Sequence, residues 1–412
     1  MDKQKKGISP FSLGLIPLFV LAHFSHHVLT ALTVPLMPFI RDSFHLDYTQ
    51  SGWVVSAFTL SYGMAQLPSG WLADRLDTRK LITLGISGVA AAGLLVGLSQ
   101  TYVMMICCLV LMGALGGGYH PSAPPLISQS VELEKRGRAL GYHNIGGSGS
   151  YFLTPIIGVA IANALGWRSS YIILAIPTII IGLVLYVLIK KHTVKQTIDG
   201  ASSPSATAEK QDGRPAGNNR RLTAFIILST FTSAVIGATC AFIPLYLVDH
   251  FKLSEAQAGL YLALIFSTGV WMNPIGGYLS DRFGSIPVIL TICFLAGPFI
   301  FLLNIVPNGP AIIILLLGLG IIMSVRMPTS ELFIVGETSA RNRSTILGIY
   351  YFTAMEAGGI LNPVMGRLID RFGFYTSFTS AAVFLFCITL VCAFFLKKKS
   401  DDKGRMPDIQ PS

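Results

Sequence analysis

The sequence predicts an all-α polytopic membrane protein with twelve transmembrane helices in two six-helix, pseudo-symmetric lobes. Three observations carry that prediction. Hydrophobic residues fill 52% of the 412 positions and charged residues only 12%, about half the charged share of an ordinary soluble domain. Twelve apolar stretches, each near the roughly 20 residues a helix needs to cross the hydrocarbon core, confine their charges to the gaps between them. One offset, 207 positions, lays the second half of the chain on the first.

In order, the expected spans are 11-39, 49-73, 79-99, 102-128, 139-164, 168-190, 222-249, 256-280, 286-305, 310-335, 344-368 and 374-396. Long continuous apolar runs argue against a barrel, which needs short alternating strands. The first run is too long for the apolar region of a signal peptide and contains His and Pro, so it is expected to stay attached.

A formal charge of +10 would suit nucleic acid if it were gathered on one surface, but its distribution follows membrane sidedness instead. With the N-terminus in the cytoplasm, the inner segments hold Lys3, Lys5 and Lys6, then Arg75, Arg79 and Lys80, then Lys135, Arg136 and Arg138. They also hold seven cations from Lys190 to Arg221, then Arg282, Arg341 and Arg343, and five from Lys397 to Arg405. The outer segments hold only Arg41, Arg168, Lys252, Arg367 and Arg371, which leaves Arg326 alone inside a span. That asymmetry is the positive-inside pattern, and it predicts a cytoplasmic-membrane protein with both termini inside. The six cysteines all fall in apolar spans without Cys-x-x-Cys spacing and read as packing residues.

The 207-residue offset takes Phe44 to Phe251, Leu46 to Leu253, Gln50 to Gln257, Gly52 to Gly259 and Gly70 to Gly277. It takes Asp74 to Asp281, Arg75 to Arg282, Pro121 to Pro328, Gly141 to Gly348, Gly166 to Gly373 and Ser170 to Ser377. Six helices return the chain to its starting side, so the halves share a topology and are related by an axis along the membrane normal. The expected organisation is a lobe over 1-190, a polar linker over 191-220, a lobe over 221-396 and a tail over 397-412. The linker is rich in Ala, Ser, Gly, Lys and Asn and cannot bury enough apolar surface to fold.

At the end of the second span stands Gly70-Trp71-Leu72-Ala73-Asp74-Arg75, echoed by Gly277-Tyr278-Leu279-Ser280-Asp281-Arg282. Glycine admits close helix approach, and the aspartate can meet a helix N-terminus or an arginine. The pair resembles the major facilitator signature between helices 2 and 3, which implies the major facilitator fold and a conformational latch between lobes. Two-fold symmetry suggests Arg341 or Arg343 as partner to Asp74, and Arg136 or Arg138 as partner to Asp281. His23-Phe24, Gln66-Leu67-Pro68, Tyr119-His120-Pro121 and Gly146-Gly147 further resemble the fosmidomycin-resistance, drug-efflux branch, similar to proton-driven exporters. The chain departs from that branch at Ser25-His26-His27.

Ionisable residues at bilayer depth cost roughly 2.5 to 3.5 kcal/mol each and mark function. Here they are His23, His26, His27, His120, His143, Arg326, Glu331 and Glu356. The resemblance implies that helices 1, 4, 7 and 10 line a central cavity, so His23, His120 and Arg326 would share it. The planar fork of Arg326 suits a carboxylate, phosphate or phosphonate, which predicts a small organic anion or zwitterion as substrate. The bland alternative pairs Arg326 with Glu356 or Glu331 for structure. Glu356, Glu331 and His23 are candidate proton carriers, and Tyr62, Gln66, Asn144 and Tyr350 candidate hydrogen-bonding groups. His23, His26 and His27 share a helix face, but no Cys or carboxylate nearby completes a metal set, so no metal site and no cofactor is expected.

Neither a phosphate loop nor a zinc-protease or serine-hydrolase motif is present, so the chain is not expected to be an enzyme. The expected function is secondary active transport by alternating access, with proton-coupled efflux favoured. Proton-coupled uptake, facilitated diffusion and a non-transporting sensor or scaffold are the alternatives. Expected partners are a small-molecule substrate, protons and the lipid bilayer, with no nucleic acid, and a monomer suffices.

Overall fold

The computed structural model describes residues 10–73, 75–131, 136–198, 219–339 and 343–396, and among them every regular element is a helix. The first half contains α1 (Pro10–Thr30), α2 (Met37–Phe44), α3 (Tyr48–Ala73), α4 (Thr78–Thr83), a π-helical turn at Leu84–Gly88 and α5 (Val89–Gly97). It continues with α6 (Tyr102–Gly116), α7 (Tyr119–Gln129), α8 (Arg136–Leu165) and α9 (Trp167–Ile198). The second half contains α10 (Asn219–Phe251), α11 (Glu255–Phe283), α12 (Ser285–Leu302), α13 (Pro310–Glu337) and α14 (Arg343–Leu396). Gly373, at φ 74°, breaks α14 into two limbs. With α4 to α5 and α6 to α7 each forming one crossing, the elements make the twelve expected spans.

Departures from the expected boundaries have local causes. The first span ends as a helix at Thr30, because Pro35 and Pro38 cannot supply the N–H groups that would carry it on to 39. The fourth is broken at Gly117-Gly118, inside a run of three glycines. Helix α9 continues to Ile198, past the expected lobe boundary at 190, since a helix satisfies its own backbone and need not stop where lipid does. Helix α3 is not among those apolar enough to cross on composition alone. Its Gln50, Ser51, Ser56 and Thr59 belong to a helix that packs against the other lobe.

The repeat is visible in the backbone. The two non-glycine residues with positive φ among those described, His45 at 54° and Lys252 at 56°, are separated by the same 207 positions, and so are Gly166 at 85° and Gly373 at 74°. Helix starts match too. Asp47 accepts from the Gln50 N–H at 2.6 Å while its own N–H reaches Gln50 Oε1 at 3.1 Å. Ser254 does the same with Gln257, at 3.2 and 3.0 Å. These are two capping boxes at equivalent positions.

The lobes meet along two seams, α3 against the first limb of α14 and α8 against α11. Toward the face opposite the linker, here the far face, the seams are closed. Gly52 lies against Asn362 and Pro363, Gly366 against Tyr48, and Gly259 against Val159, close approaches that a β-carbon would block. Asp370 accepts from the Tyr48 and Thr49 N–H groups at 3.0 and 2.8 Å, and Asp249 from the Tyr48 hydroxyl at 2.7 Å and from Arg41. Toward the linker face the lobes part. Met64, Leu67 and Trp71 of α3 and Tyr278 of α11 are exposed, and no described atom lies within 4 Å of a β-carbon built on Gly70, Gly277, Gly141 or Gly348. The molecule is closed at the far face and open toward the linker.

Candidate functional site

Arg326 stands on α13 where α10 and α14 converge. Its Nη1 donates to the Tyr350 hydroxyl at 2.8 Å and the Ser229 hydroxyl at 3.0 Å, and its Nη2 to the Ser233 hydroxyl at 2.9 Å. The Ser229 hydroxyl also bonds those of Ser330 at 2.7 Å and Tyr350 at 2.9 Å. The cage is neutral. Among the described residues no carboxylate forms an ion pair with Arg326, and its Nε is buried without a partner. Neither Glu356 nor Glu331 forms the direct ion pair considered from sequence. Glu331 instead accepts from the Tyr351 hydroxyl at 2.6 Å, and Glu356 faces Gly63 across the α3–α14 seam with Oε1 buried and unpartnered.

The first lobe holds the opposite chemistry. Five imidazoles and three phenols gather where α1, α3, α7 and α8 meet. His23 stacks on His143 with centroids 4.1 Å apart, His26 stacks on Tyr119 at 4.2 Å, and His120 stands edge-on to both His23 and His26. Nδ1–H of His23 donates to the His143 carbonyl at 2.8 Å, that of His26 to the Gly85 carbonyl at 2.7 Å, and that of His143 to the Phe19 carbonyl at 3.1 Å. A carbonyl only accepts, so each of these rings carries its proton on Nδ1 and offers Nε2 as a lone pair. His26 Nε2 accepts from the Tyr62 hydroxyl at 3.0 Å, whereas Nε2 of His23 and of His143 is buried without a partner. The break before α7 aims Tyr119 and His120 into this cluster, and the π turn at Leu84–Gly88 turns the Gly85 carbonyl toward His26.

His23, His120 and Tyr62 therefore come together, and Arg326 with Tyr350 forms a second centre in the other lobe. His23 packs into its own lobe, against Gly147 of α8, and is 6% exposed. Asn144 is exposed and Gln66 half-buried beside Gly117. Arg75 lies over the Trp71 ring at 4.0 Å, and Arg282 donates to the Tyr278 hydroxyl at 3.0 Å, each engaging the aromatic residue four positions back. Asp281 is exposed. Asp74 and Arg341 lie outside the described residues, as do the side chains of Arg136, Arg138 and Arg343, so the proposed latch pairs fall there.

Residues 19–361 match the model of the Major Facilitator Superfamily. The chain belongs to the Major Facilitator Superfamily. As a member of it, the protein is a multi-pass membrane transporter and not an enzyme. A probable sulfoacetate transporter of Cupriavidus necator is 26% identical to it over 90% of both chains. A probable L-galactonate transporter of Escherichia coli is 25% identical over 63% of this chain and 60% of that one. Among solved structures, a bacterial homologue of the human lysosomal transporter Spinster, inward-facing and occupied, overlays with a TM-score of 0.74 at 17% identity, covering 95% of this chain and 97% of that one. That likeness is one of fold.

Several functional-site residues escape a sequence reading of this facilitator. Ser229 and Ser233 carry no charge and look like ordinary small residues of a membrane helix. The signal that could have found them is the repeat, which sets them opposite Ala22 and His26. Arg41 and Asp370 fall between the expected spans and Asp249 at the end of one, and only the closed far face shows that they join lobes.

Proposed function

We propose that this facilitator is a proton-driven secondary transporter of a small organic anion, with Arg326 as the residue that holds the anion. The observation that carries the reading is a half-buried guanidinium caged by hydroxyls and lacking a carboxylate. Hydroxyl dipoles solvate the cation but leave its charge unbalanced, and an anionic substrate supplies the balance through charge-assisted bonds. The two relatives named for sulfoacetate and L-galactonate, both anions, support the same substrate class.

Glu356 is the proposed proton carrier. An ionised carboxylate with a buried, unpartnered oxygen is costly, and its place on the lobe seam opposite Gly63 means that rocking of the lobes changes its surroundings. On direction, the resemblance to drug exporters favours exchange of substrate for protons. The electrostatics of the site favours a second reading, co-transport, because a proton on Glu331 or Glu356 reduces repulsion of an anion near Arg326 instead of displacing it. The Lys and Arg distribution supports termini and linker in the cytoplasm, and a single chain supplies both lobes, which supports a monomer.

Proteoliposomes with an imposed pH gradient test the reading. Flux of a small carboxylate or sulfonate that follows the gradient and is lost in Arg326→Gln is expected. Influx with protons selects co-transport, and efflux against them selects exchange. No flux of any anion in the wild type, with binding retained, would instead support the sensor. Flux unchanged in Arg326→Gln would remove Arg326 from the site.

A further inference from the structure

We propose that His23, His27 and His120 form a binding site for a divalent late transition-metal ion such as Zn2+, with a fourth position left for water or an anionic ligand. On sequence alone, His23 and His27 lack a third ligand, and the fold supplies it from another helix. One ring nitrogen from each of the three lies within 4.8 Å of the others. Tetrahedral zinc–nitrogen bonds of about 2.0 to 2.1 Å place ligand nitrogens about 3.4 Å apart, so each ring need move inward by only about 1 Å.

The hydrogen bonds around the rings match what a metal-ligating imidazole requires, a second nitrogen tied down so that the first presents a lone pair. His23 donates Nδ1–H to the His143 carbonyl at 2.8 Å. His27 Nδ1 meets the Thr30 hydroxyl at 3.1 Å, and Thr30 donates in turn to the His27 carbonyl at 3.3 Å, so the imidazole is the donor of the pair. His23 Nε2 is buried with no partner in a side chain only 6% exposed, a lone pair that bears a desolvation cost until something accepts it. His26, on the same helix, spends both nitrogens on the Gly85 carbonyl and the Tyr62 hydroxyl, which excludes it from the set. His120 is the most exposed of the three. Three neutral nitrogens suit Zn2+, Cu2+ or Ni2+ and not the oxygen-seeking Mg2+ or Ca2+. With no carboxylate in the set the bound dication keeps its charge, which favours an anion in the fourth position. The proposal stands apart from the anion-transport reading, because it concerns binding in the first lobe without substrate.

The full chain in nanodiscs, stripped with chelator and titrated calorimetrically with Zn2+, tests it. One ion per chain is expected, weakened at least about 10-fold in His23→Ala, His27→Ala and His120→Ala, about 10-fold in Thr30→Val, and unchanged in His45→Gln, His250→Gln and Arg326→Gln. In His120→Cys, which keeps a ligand, binding is retained and preference shifts toward Cd2+. That variant decides the matter if the alanine variants do not fold. No saturable binding in the wild type, full binding in folded His120→Ala, an unshifted Cd2+ preference in His120→Cys, or loss in the His45 or His250 variants would each overturn the site.

Discussion

Ala22, His26, Tyr119 and His143 of the first lobe and Ser229, Ser233, Arg326 and Tyr350 of the second occupy the same four slots of the repeat, yet they build opposite environments. In the first lobe His26 stacks on Tyr119 at 4.2 Å and its Nδ1–H donates to the Gly85 carbonyl. In the second the residue in the His26 slot donates nothing to a stack. It accepts from Arg326 at 2.9 Å, and the residue in the His143 slot does so at 2.8 Å. The same backbone geometry thus holds an aromatic cluster in one lobe and a hydroxyl-solvated cation in the other. Repetition preserves the scaffold, because positive-φ turns and close helix contacts tolerate few residues. It leaves these four slots free to diverge.

The largest effect is expected where that divergence is greatest. Arg326→Gln should lower anion affinity by about 100-fold and Arg326→Lys by about 10-fold, since lysine keeps the charge but loses the fork, measured by substrate protection in a thermal-shift titration. If the two variants bind equally well, the cation is structural and the contrast between lobes is one of packing alone.

Paired phenol deletions sharpen the comparison. Tyr350→Phe removes a bond to a guanidinium and should cost about 1.5 to 3 kcal/mol of binding or stability. Tyr119→Phe deletes a buried hydroxyl that has no partner and should be neutral or slightly stabilising, as read by thermal unfolding in detergent. Equal costs would mean that the Tyr119 hydroxyl is bonded after all and that the two clusters are more alike than their slots suggest.

The two seams differ in the same way. Both helices are capped within their own lobes, α3 by Asp47 and α11 by Ser254, but Asp370 adds a second cap to α3 across the lobe boundary while its repeat counterpart Asn163 is exposed. Asp370→Asn should therefore shift the population toward far-face opening by about 10-fold, the equivalent of roughly 1.4 kcal/mol, with Asn163→Ala having no such effect. Distances between spin labels at the far ends of α3 and α14 would show it, and an unchanged distribution would demote the clasp.

The smallest effect is expected at Asp77. The side-chain bonds from Arg79, at 2.8 and 2.9 Å, hold its carboxyl below the usual carboxylate range. A lowered folded value means that the pair contributes above about pH 4 and is lost as pH falls through that lowered value. Because the pair is only partly buried and screened by solvent, Asp77→Asn should cost within about 1 kcal/mol at neutral pH and nothing in strong acid. A larger loss in thermal unfolding would show the loop to be part of the lobe interface.

By itself the sequence determined the helical membrane class, the twelve spans and the two-lobed repeat, because apolar run length, cation asymmetry and a fixed offset are properties of the linear chain, and the resemblance of its two Gly-x-x-x-Asp-Arg motifs pointed to the family. It also singled out the five histidines, Arg326, Glu331 and Glu356 inside the spans, though not Asp249 at the end of one. Only the tertiary structure decided how those groups partner. It left Arg326 without a direct ion pair to Glu331 or Glu356, set hydroxyls from α10 and α14 around it, and brought His120 of α7 to His23 and His27 of α1. Such pairings depend on which faces of distant helices meet, and on local breaks such as Gly117-Gly118 that rotate a side chain out of the register a continuous helix would impose.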